Sequence, residues 1–410
     1  MPSPVDEPPW TACRVHFLIV FLLVSFNLRM SFAAADPLLL YLERDLKLSL
    51  TDSGIFAVLP VMVLGVASTL AARLVSVIRP RMVVLIFLAV AVLGVLWRSY
   101  GGMVGLFGGM VFIGLGLGVV GSAILGVLKD VFPFRSEMIM GGYTAFVCLG
   151  TSVGSGCSLP LASALGGWKP GLAFWAVPLA VTLLLWLGMM HYGKDMGKTT
   201  HRRLQASIRP LLGQKKAWTV SIFYLFRVAG AYLLTIWLAS LMRRRGMNAD
   251  ESGFVLALAT LCQIPSSLLS GKCVQWLGGQ ARLMFVTIPL SIAACWGLLF
   301  GSLSWWPCFS VIFGLCIGFI FTLGMGLIVQ RAADEATVVA LSGMSQGVGF
   351  IAGGLLAWVG NFCVGSPHAE LYIAVLYTVY GLGGLVFGLL AARPGMVSGA
   401  GEKTHGQPQE

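Results

Sequence analysis

The sequence predicts an all-α membrane protein whose twelve transmembrane helices form two six-helix, pseudo-symmetric bundles. Three observations lead there. The 410 residues are 57% hydrophobic and only 10% charged, with a mean hydropathy of +0.88. Soluble domains carry about 25% charged residues, and no soluble core could absorb this much apolar chain. The apolar stretches are long and lack two-residue alternation, so they read as helices and not as barrel strands. The two halves also repeat at an offset of about 200 residues.

The spans are read at 15–42, 51–75, 82–98, 101–128, 136–164, 169–192, 217–241, 252–276, 281–302, 306–330, 336–363 and 368–392. Each reaches the ~17 residues that a spanning helix needs. The first run lacks a small-residue cleavage site after a short apolar core, so it is expected to be retained. The longest break, 193–216, reads GKDMGKTTHRRLQASIRPLLGQKK. It divides the chain into a bundle at 1–192 and a bundle at 217–393, joined by a polar basic loop. Residues 394–410 are Gly-rich and polar and are expected to be a disordered tail.

Orientation follows from Lys and Arg. Of the 27, eighteen fall in segments on the side of the N-terminus, seven on the other side (Arg98 among them) and two inside spans. That asymmetry predicts a multi-pass protein of the inner (plasma) membrane with both termini cytoplasmic. The net charge of +11 is therefore a topology signal and does not point to nucleic acid. The run Arg243-Arg244-Arg245 on the outer side is the exception. It reads either as an electropositive vestibule or as a late loop freed from topological duty. The nine Cys lie mostly in or beside apolar segments, which argues against a disulfide framework, though Cys308 and Cys363 share the outer side.

The repeat is carried by several matches. Gly114, Gly116 and Gly118 in the fourth span face Gly314, Cys316 and Gly318 in the tenth, and Gly126 faces Gly326. The small-xxx-small pairs Gly150/Gly154 and Gly349/Gly353 match in the fifth and eleventh spans, and Arg81 matches Arg282. Parallel repeats of this kind place a binding site between the halves near the midplane.

Two charges lie where that site should be. Arg29 sits about fifteen residues from Arg14 and fourteen from Glu43, hence near the bilayer centre. Arg227 lies eleven residues after Lys216, and at an offset of 198 it is the approximate repeat mate of Arg29. An arginine at that depth costs roughly 2.5–3.5 kcal/mol on insertion scales and is tolerated when it faces a bundle interior or a wet cavity. A pseudo-twofold axis would set the two on opposite walls of one cavity. A small anion between them would accept hydrogen bonds from both and offset their repulsion. The competing reading has each arginine capping carbonyls or packing against a neighbouring helix.

Other polar residues at depth are weaker candidates. Asp36, seven residues after Arg29, would lie two turns further on the same face and is the candidate proton-coupling acid; otherwise it is an acid at a helix end kinked by Pro37. Asn27 faces away and is expected to bond a neighbouring helix. Gln263, Gln346, Tyr224 and Tyr143 are candidate substrate contacts, each equally able to serve helix packing. There is no HExxH, no phosphate-binding loop, no nucleophile elbow and no Cys/His metal spacing, so neither an enzyme nor a cofactor is expected. The glycines of Gly114–Gly118 lie inside an apolar span without a preceding strand and are not a dinucleotide fingerprint.

Twelve spans, a six-plus-six repeat and a central basic loop resemble the major facilitator superfamily. The segment GKCVQWLGGQAR from Gly271 to Arg282 is similar to its G-x6-G-x3-R loop motif, a cytoplasmic gate, while the matching loop before Arg81 lacks the glycines and the acid. Further segments resemble the cyanate/2-nitroimidazole transporter branch: Asn27-Leu28-Arg29 followed by Asp36-Pro37-Leu38; Leu59-Pro60-Val61; Leu128-Lys129 with Phe132-Pro133; Trp175-Ala176-Val177-Pro178; and Gln346-Gly347-Val348-Gly349-Phe350. Asp36 and Arg227 depart from that branch's pattern. Paired arginines on the first and seventh helices are separately similar to the organophosphate/phosphate antiporters. The resemblance implies a monomeric secondary transporter that moves a small solute, an anion of the cyanate or carboxylate type, by rocker-switch alternating access. The alternatives are a proton-coupled exporter of small drug-like compounds such as nitroimidazoles, and a non-transporting membrane sensor.

Overall fold

The computed structural model describes residues 11–132, 136–190, 204–364 and 366–399. Residues 193–203 of the central loop and 400–410 of the tail lie outside them. Among the described residues, twelve helices are long and apolar enough to cross a membrane. They are α1 Ala12–Ala33, α2 Leu50–Val77, α3 Pro80–Tyr100, α4 Gly102–Val131, α5 Ser136–Ala164 and α6 Trp168–Met189 in the first half. The second half holds α7 Lys215–Arg244, α8 Ala249–Trp276, α9 Gln280–Phe300, α10 Trp306–Arg331, α11 Glu335–Val364 and α12 Ala369–Ala392. An even number of crossings puts both termini on one side, called here the termini side.

Equivalent helices start and pack alike in the two halves. Ser49 and Asp52 form a capping box that starts α2, and Asn248 and Glu251, 199 residues later, form the same box for α8. A Cβ on Gly118 would meet Ala67 and the Leu64 carbonyl of α2, and one on Gly318 would meet Ser266 and the Gln263 carbonyl of α8. Beside these contacts, Ser68 donates to the Gly118 carbonyl at 3.3 Å and Ser267 to the Gly318 carbonyl at 3.4 Å. Gly150 and Gly154 bring α5 against the Phe26 and Met30 carbonyls of α1; Gly349 and Gly353 bring α11 against Tyr224 and the Leu225 carbonyl of α7. Glycine is needed there because no side chain fits between backbones in contact.

α1 stops at Ala33, and a single 3-10 turn, Asp36–Leu38, follows it. Pro37 supplies no backbone N–H and its ring obstructs a continuing helix, so the break is set by sequence. Arg98, expected in an outer loop, is instead a fully buried residue of α3. Asn27 bonds α6 through Thr182 at 2.9 Å, as expected of it. All nine cysteines are free thiols.

Basic residues cap helix ends on the termini side. Arg331 donates to the carbonyls of Ala391 and Ala392, and Lys216 to those of Leu390 and Arg393, closing the end of α12. Residues 394–399, the first part of the expected tail, are tied down: the Val397 amide donates to the Arg331 carbonyl at 2.7 Å and Gln214 to the Ser398 carbonyl at 2.7 Å.

The Arg243–Arg245 run is consumed by structure. Arg243 donates to Ser252, Arg244 donates to the Ser366 carbonyl and pairs with Glu370 at 3.6 Å, and Arg245 binds the Leu298 and Gly301 carbonyls at the end of α9. A cation at a helix C-terminus is favourable on both hydrogen-bonding and dipole grounds.

Candidate functional site

A cavity of about 210 Å³ lies between the two bundles. One water needs only ~10–15 Å³ on that scale, so the space is solute-sized. The structure brings six of the sequence-predicted residues to its wall: Arg29, Tyr143, Tyr224, Arg227, Gln263 and Gln346.

The two arginines are held by aromatic rings. Arg29 comes from the middle of α1 and donates to the Tyr232 hydroxyl of α7 at 2.6 Å, with its guanidinium carbon 5.1 Å from that ring's centre. Arg227 comes from α7 and lies over two rings, Tyr224 at 4.2 Å and Phe321 of α10 at 4.4 Å. Rings stabilise a cation without neutralising it. Among the described residues neither guanidinium is in an ion pair, and the Nε of Arg227 is buried with no hydrogen-bond partner. Both guanidiniums line the one cavity, each from a different bundle.

The glutamines differ. The Gln346 amide is spent on a cluster that joins the bundles: it donates to Ser342 at 2.6 Å and to Ser122 of α4 at 3.4 Å, and accepts from Ser68 of α2 at 3.5 Å. The Gln263 carbonyl accepts weakly from the Cys148 thiol across the bundle interface at 3.6 Å. Its amide nitrogen has no protein partner among the described residues, which leaves a donor at the wall.

Asp36 does not line this cavity. The break of α1 removes the helical register that set it above Arg29. It is exposed, outside the cavity that Arg29 lines. Of the loop motif, Gly278 adopts the left-handed φ of +72° that the turn between α8 and α9 requires. Arg282 is exposed and bonds only within that turn, to the Leu277 carbonyl at 3.0 Å. Gly271 sits against the Met138 backbone of the other bundle. Arg81 is buried beside α6, where its carbonyl accepts from Trp186.

The cross-bundle bond that closes the termini side comes from Lys129. Its ammonium, at the end of α4, donates to the Val329 and Ala332 carbonyls at the end of α10, at 2.9 and 2.8 Å. Together with the Gln346 cluster it forms the floor of the cavity. Among the described residues, the other hydrogen bonds between bundles are Arg29–Tyr232 and Cys148–Gln263 at the cavity itself. Among the described residues, the hydrogen bonds between the bundles lie at the cavity or on the termini side of it.

Sequence reasoning missed Phe321, Lys129 and Arg98, while Tyr232 stood with Tyr143 among the tyrosines at useful depth. Tyr232 was legible as a polar ring at depth, five residues from Arg227. The others depend on pairings between helices that no spacing within one helix encodes.

Comparison with known proteins agrees with the architecture. The sequence profile described as Major Facilitator Superfamily matches residues 21–354. A protein described as the uncharacterized transporter YycB of Bacillus subtilis is 27% identical over 83% of this chain and 84% of its own. The cyanate transport protein CynX of Escherichia coli is 25% identical over 83% and 88%, and the 2-nitroimidazole transporter of the same organism 26% over 87% and 88%. Among solved structures, FucP in its outward conformation superposes with a TM-score of 0.72 at 14% identity, covering 92% of this chain and all of that one. The human organic anion transporter MFSD10 superposes at 0.70, also at 14% identity, covering 94% of this chain and all of that one. At such identity these two likenesses speak for the fold alone. With twelve spanning helices, a repeated six-helix bundle, a cavity at their interface and a family profile covering most of its length, the chain belongs to the Major Facilitator Superfamily of transporters.

Proposed function

We propose that this transporter carries a small organic or inorganic anion, bound between Arg29 and Arg227, by alternating closure of its two sides. The observation that carries the reading is the pair of unneutralised guanidiniums, one from each bundle, at one cavity. A pair of like charges inside a protein is costly unless something of opposite sign visits it. A carboxylate, or cyanate, accepts charge-assisted hydrogen bonds from both and so draws the bundles together. The relatives described as cyanate and nitroimidazole transporters support a small planar or linear solute.

Moving an anion inward against an inside-negative potential costs about 2.3 kcal/mol per 100 mV. A proton carried with it makes the step electroneutral, and Asp36, which lies outside the cavity, is the acid to which we assign it. With cytoplasmic termini, as the Lys and Arg distribution predicts, the Lys129 bonds close the cytoplasmic side.

A thermal-shift screen of purified protein against small anions tests the reading. A ligand at ~100 times its dissociation constant adds about 2.7 kcal/mol of stability. An anion should stabilise the wild type but neither Arg29→Gln nor Arg227→Gln. Stabilisation by neutral nitroimidazoles alone, unchanged in both variants, would instead make the arginines structural and support an exporter of neutral planar compounds, which the aromatic wall also accommodates.

A further inference from the structure

The cavity is chemically lopsided. Of the aromatic residues in its wall, Tyr143 alone comes from the N-terminal bundle; Phe226, Phe313, Phe321, Tyr377 and others come from the C-terminal one. Apart from Arg29, the N-terminal wall is otherwise aliphatic or small, with Leu28, Leu64, Leu117 and Gly118. The space also runs on past Arg227 into the C-terminal bundle, as far as Ser291 of α9 and Gly384 of α12.

That recess offers a solute almost no hydrogen-bond donors. The Tyr377 hydroxyl donates to Ser291, and Ser291 donates to the Ile288 carbonyl. The Tyr380 hydroxyl donates to the Leu356 carbonyl at 2.8 Å. Thr235 and Thr260 each donate to a carbonyl of their own helix. Donors left over for a solute therefore gather at the bundle interface, on Arg29, Arg227, the Gln263 amide and the hydroxyls of Tyr143, Tyr224 and Tyr232. A polyol needs partners all around it, and each one missing at a buried site costs the desolvation of the group left unpaired. A bare triatomic anion would leave the recess unfilled.

Resting on the anion reading above, we propose that the substrate is an amphipathic monocarboxylate with a single aromatic ring. Its carboxylate sits between Arg29 and Arg227, and its ring enters the recess among Phe226, Phe313 and Phe321. Planar rings pack there by offset or edge-to-face contact with these side chains. The half-buried rings of Phe226 and Phe321 are the surfaces it meets first. Specificity for the ring then belongs to the C-terminal bundle, and recognition of the charge is shared by both.

Calorimetric titration of the purified full-length chain with benzoate, acetate, cyanate and benzamide tests this, with Phe321→Leu and Arg29→Gln alongside. Benzoate should bind roughly a hundredfold more tightly than acetate, the gain expected from burying a phenyl group. Phe321→Leu, which also loosens Arg227, should weaken benzoate about three- to tenfold more than it weakens acetate. Acetate or cyanate binding as tightly as benzoate, still lost in Arg29→Gln, would overturn the aromatic substrate and keep the anion site. Benzamide binding as tightly as benzoate, indifferent to Arg29→Gln, would overturn the anion reading itself. Binding of none of the three anions would overturn both.

Discussion

Arg98 shows what a buried charge does when it is not part of the cavity. Its guanidinium is fully buried and donates to the Ser31 carbonyl at 2.6 Å. Ser31 belongs to the last turn of α1, where the break before Pro37 leaves carbonyls without helical partners. Arg98 caps one of them from the neighbouring helix, which offsets part of the cost of burying it. Replacing it with Met keeps the length and loses the bond, so Arg98→Met should lower stability by about 1.5–3 kcal/mol, read as a lower unfolding midpoint in detergent. In the sequence, Arg98 closes an apolar run and precedes Ser-Tyr-Gly-Gly, the pattern of a loop. Its burial depends on Gly109, where α4 meets the Arg98 backbone directly. Arg29 and Arg227 were legible because each interrupts an apolar run near its centre. Of their ring partners, Tyr224 was legible one turn from Arg227 on its own helix, whereas the contacts of Tyr232 with Arg29 and of Phe321 with Arg227 come from other helices and no spacing encodes them. Asp36→Asn should leave anion binding intact and remove the dependence of uptake on a proton gradient in proteoliposomes; uptake still driven by that gradient would release Asp36 from the role.

At the scale of elements, the glycines divide into those that hold helices together and those that do not. A Cβ on Gly150 would strike the Phe26 carbonyl, one turn from Arg29, and one on Gly349 would strike Tyr224, one turn from Arg227. A Cβ on Gly156, two residues beyond Gly154 in α5, meets nothing within 4 Å. Gly150→Ala and Gly349→Ala should therefore destabilise by about 1–3 kcal/mol through overpacking. Gly156→Ala should be neutral or stabilise by up to ~1 kcal/mol, because alanine is the better helix former. Unfolding midpoints of the three variants, compared under one condition, check the contrast. The capping boxes make a paired prediction: Ser49→Ala and Asn248→Ala should each cost about 0.5–2 kcal/mol. These features were readable beforehand as matches at one offset. What the matches meant in space, α5 on α1 and α11 on α7 beside the two arginines, needed the structure.

For the whole molecule, number of spans, duplication and division into halves follow from hydropathy and repeat spacing, because lipid leaves the chain few alternatives to spanning helices. The state of the gate has no such source. It depends on contacts between halves, and Lys129 in particular carries no mark in the sequence of reaching the end of α10. The Lys129 bonds must break if the termini side is to open. Cysteines placed at Gly141 and Ser267, whose backbones touch across the bundles on that side, should cross-link and lock the clasp. The locked protein should still bind solute and should not transport it. Transport surviving quantitative cross-linking, checked in proteoliposomes, would contradict the proposed alternation.

The central claim is that one anion engages both arginines at once. Titrating the tightest-binding anion of the screen into the wild type, Arg29→Gln, Arg227→Gln and the double variant measures it most directly. One bridging ligand predicts that each single change costs about 2–5 kcal/mol of binding and that the double change costs scarcely more than either. Small, additive losses, or binding untouched by either change, would contradict a shared site.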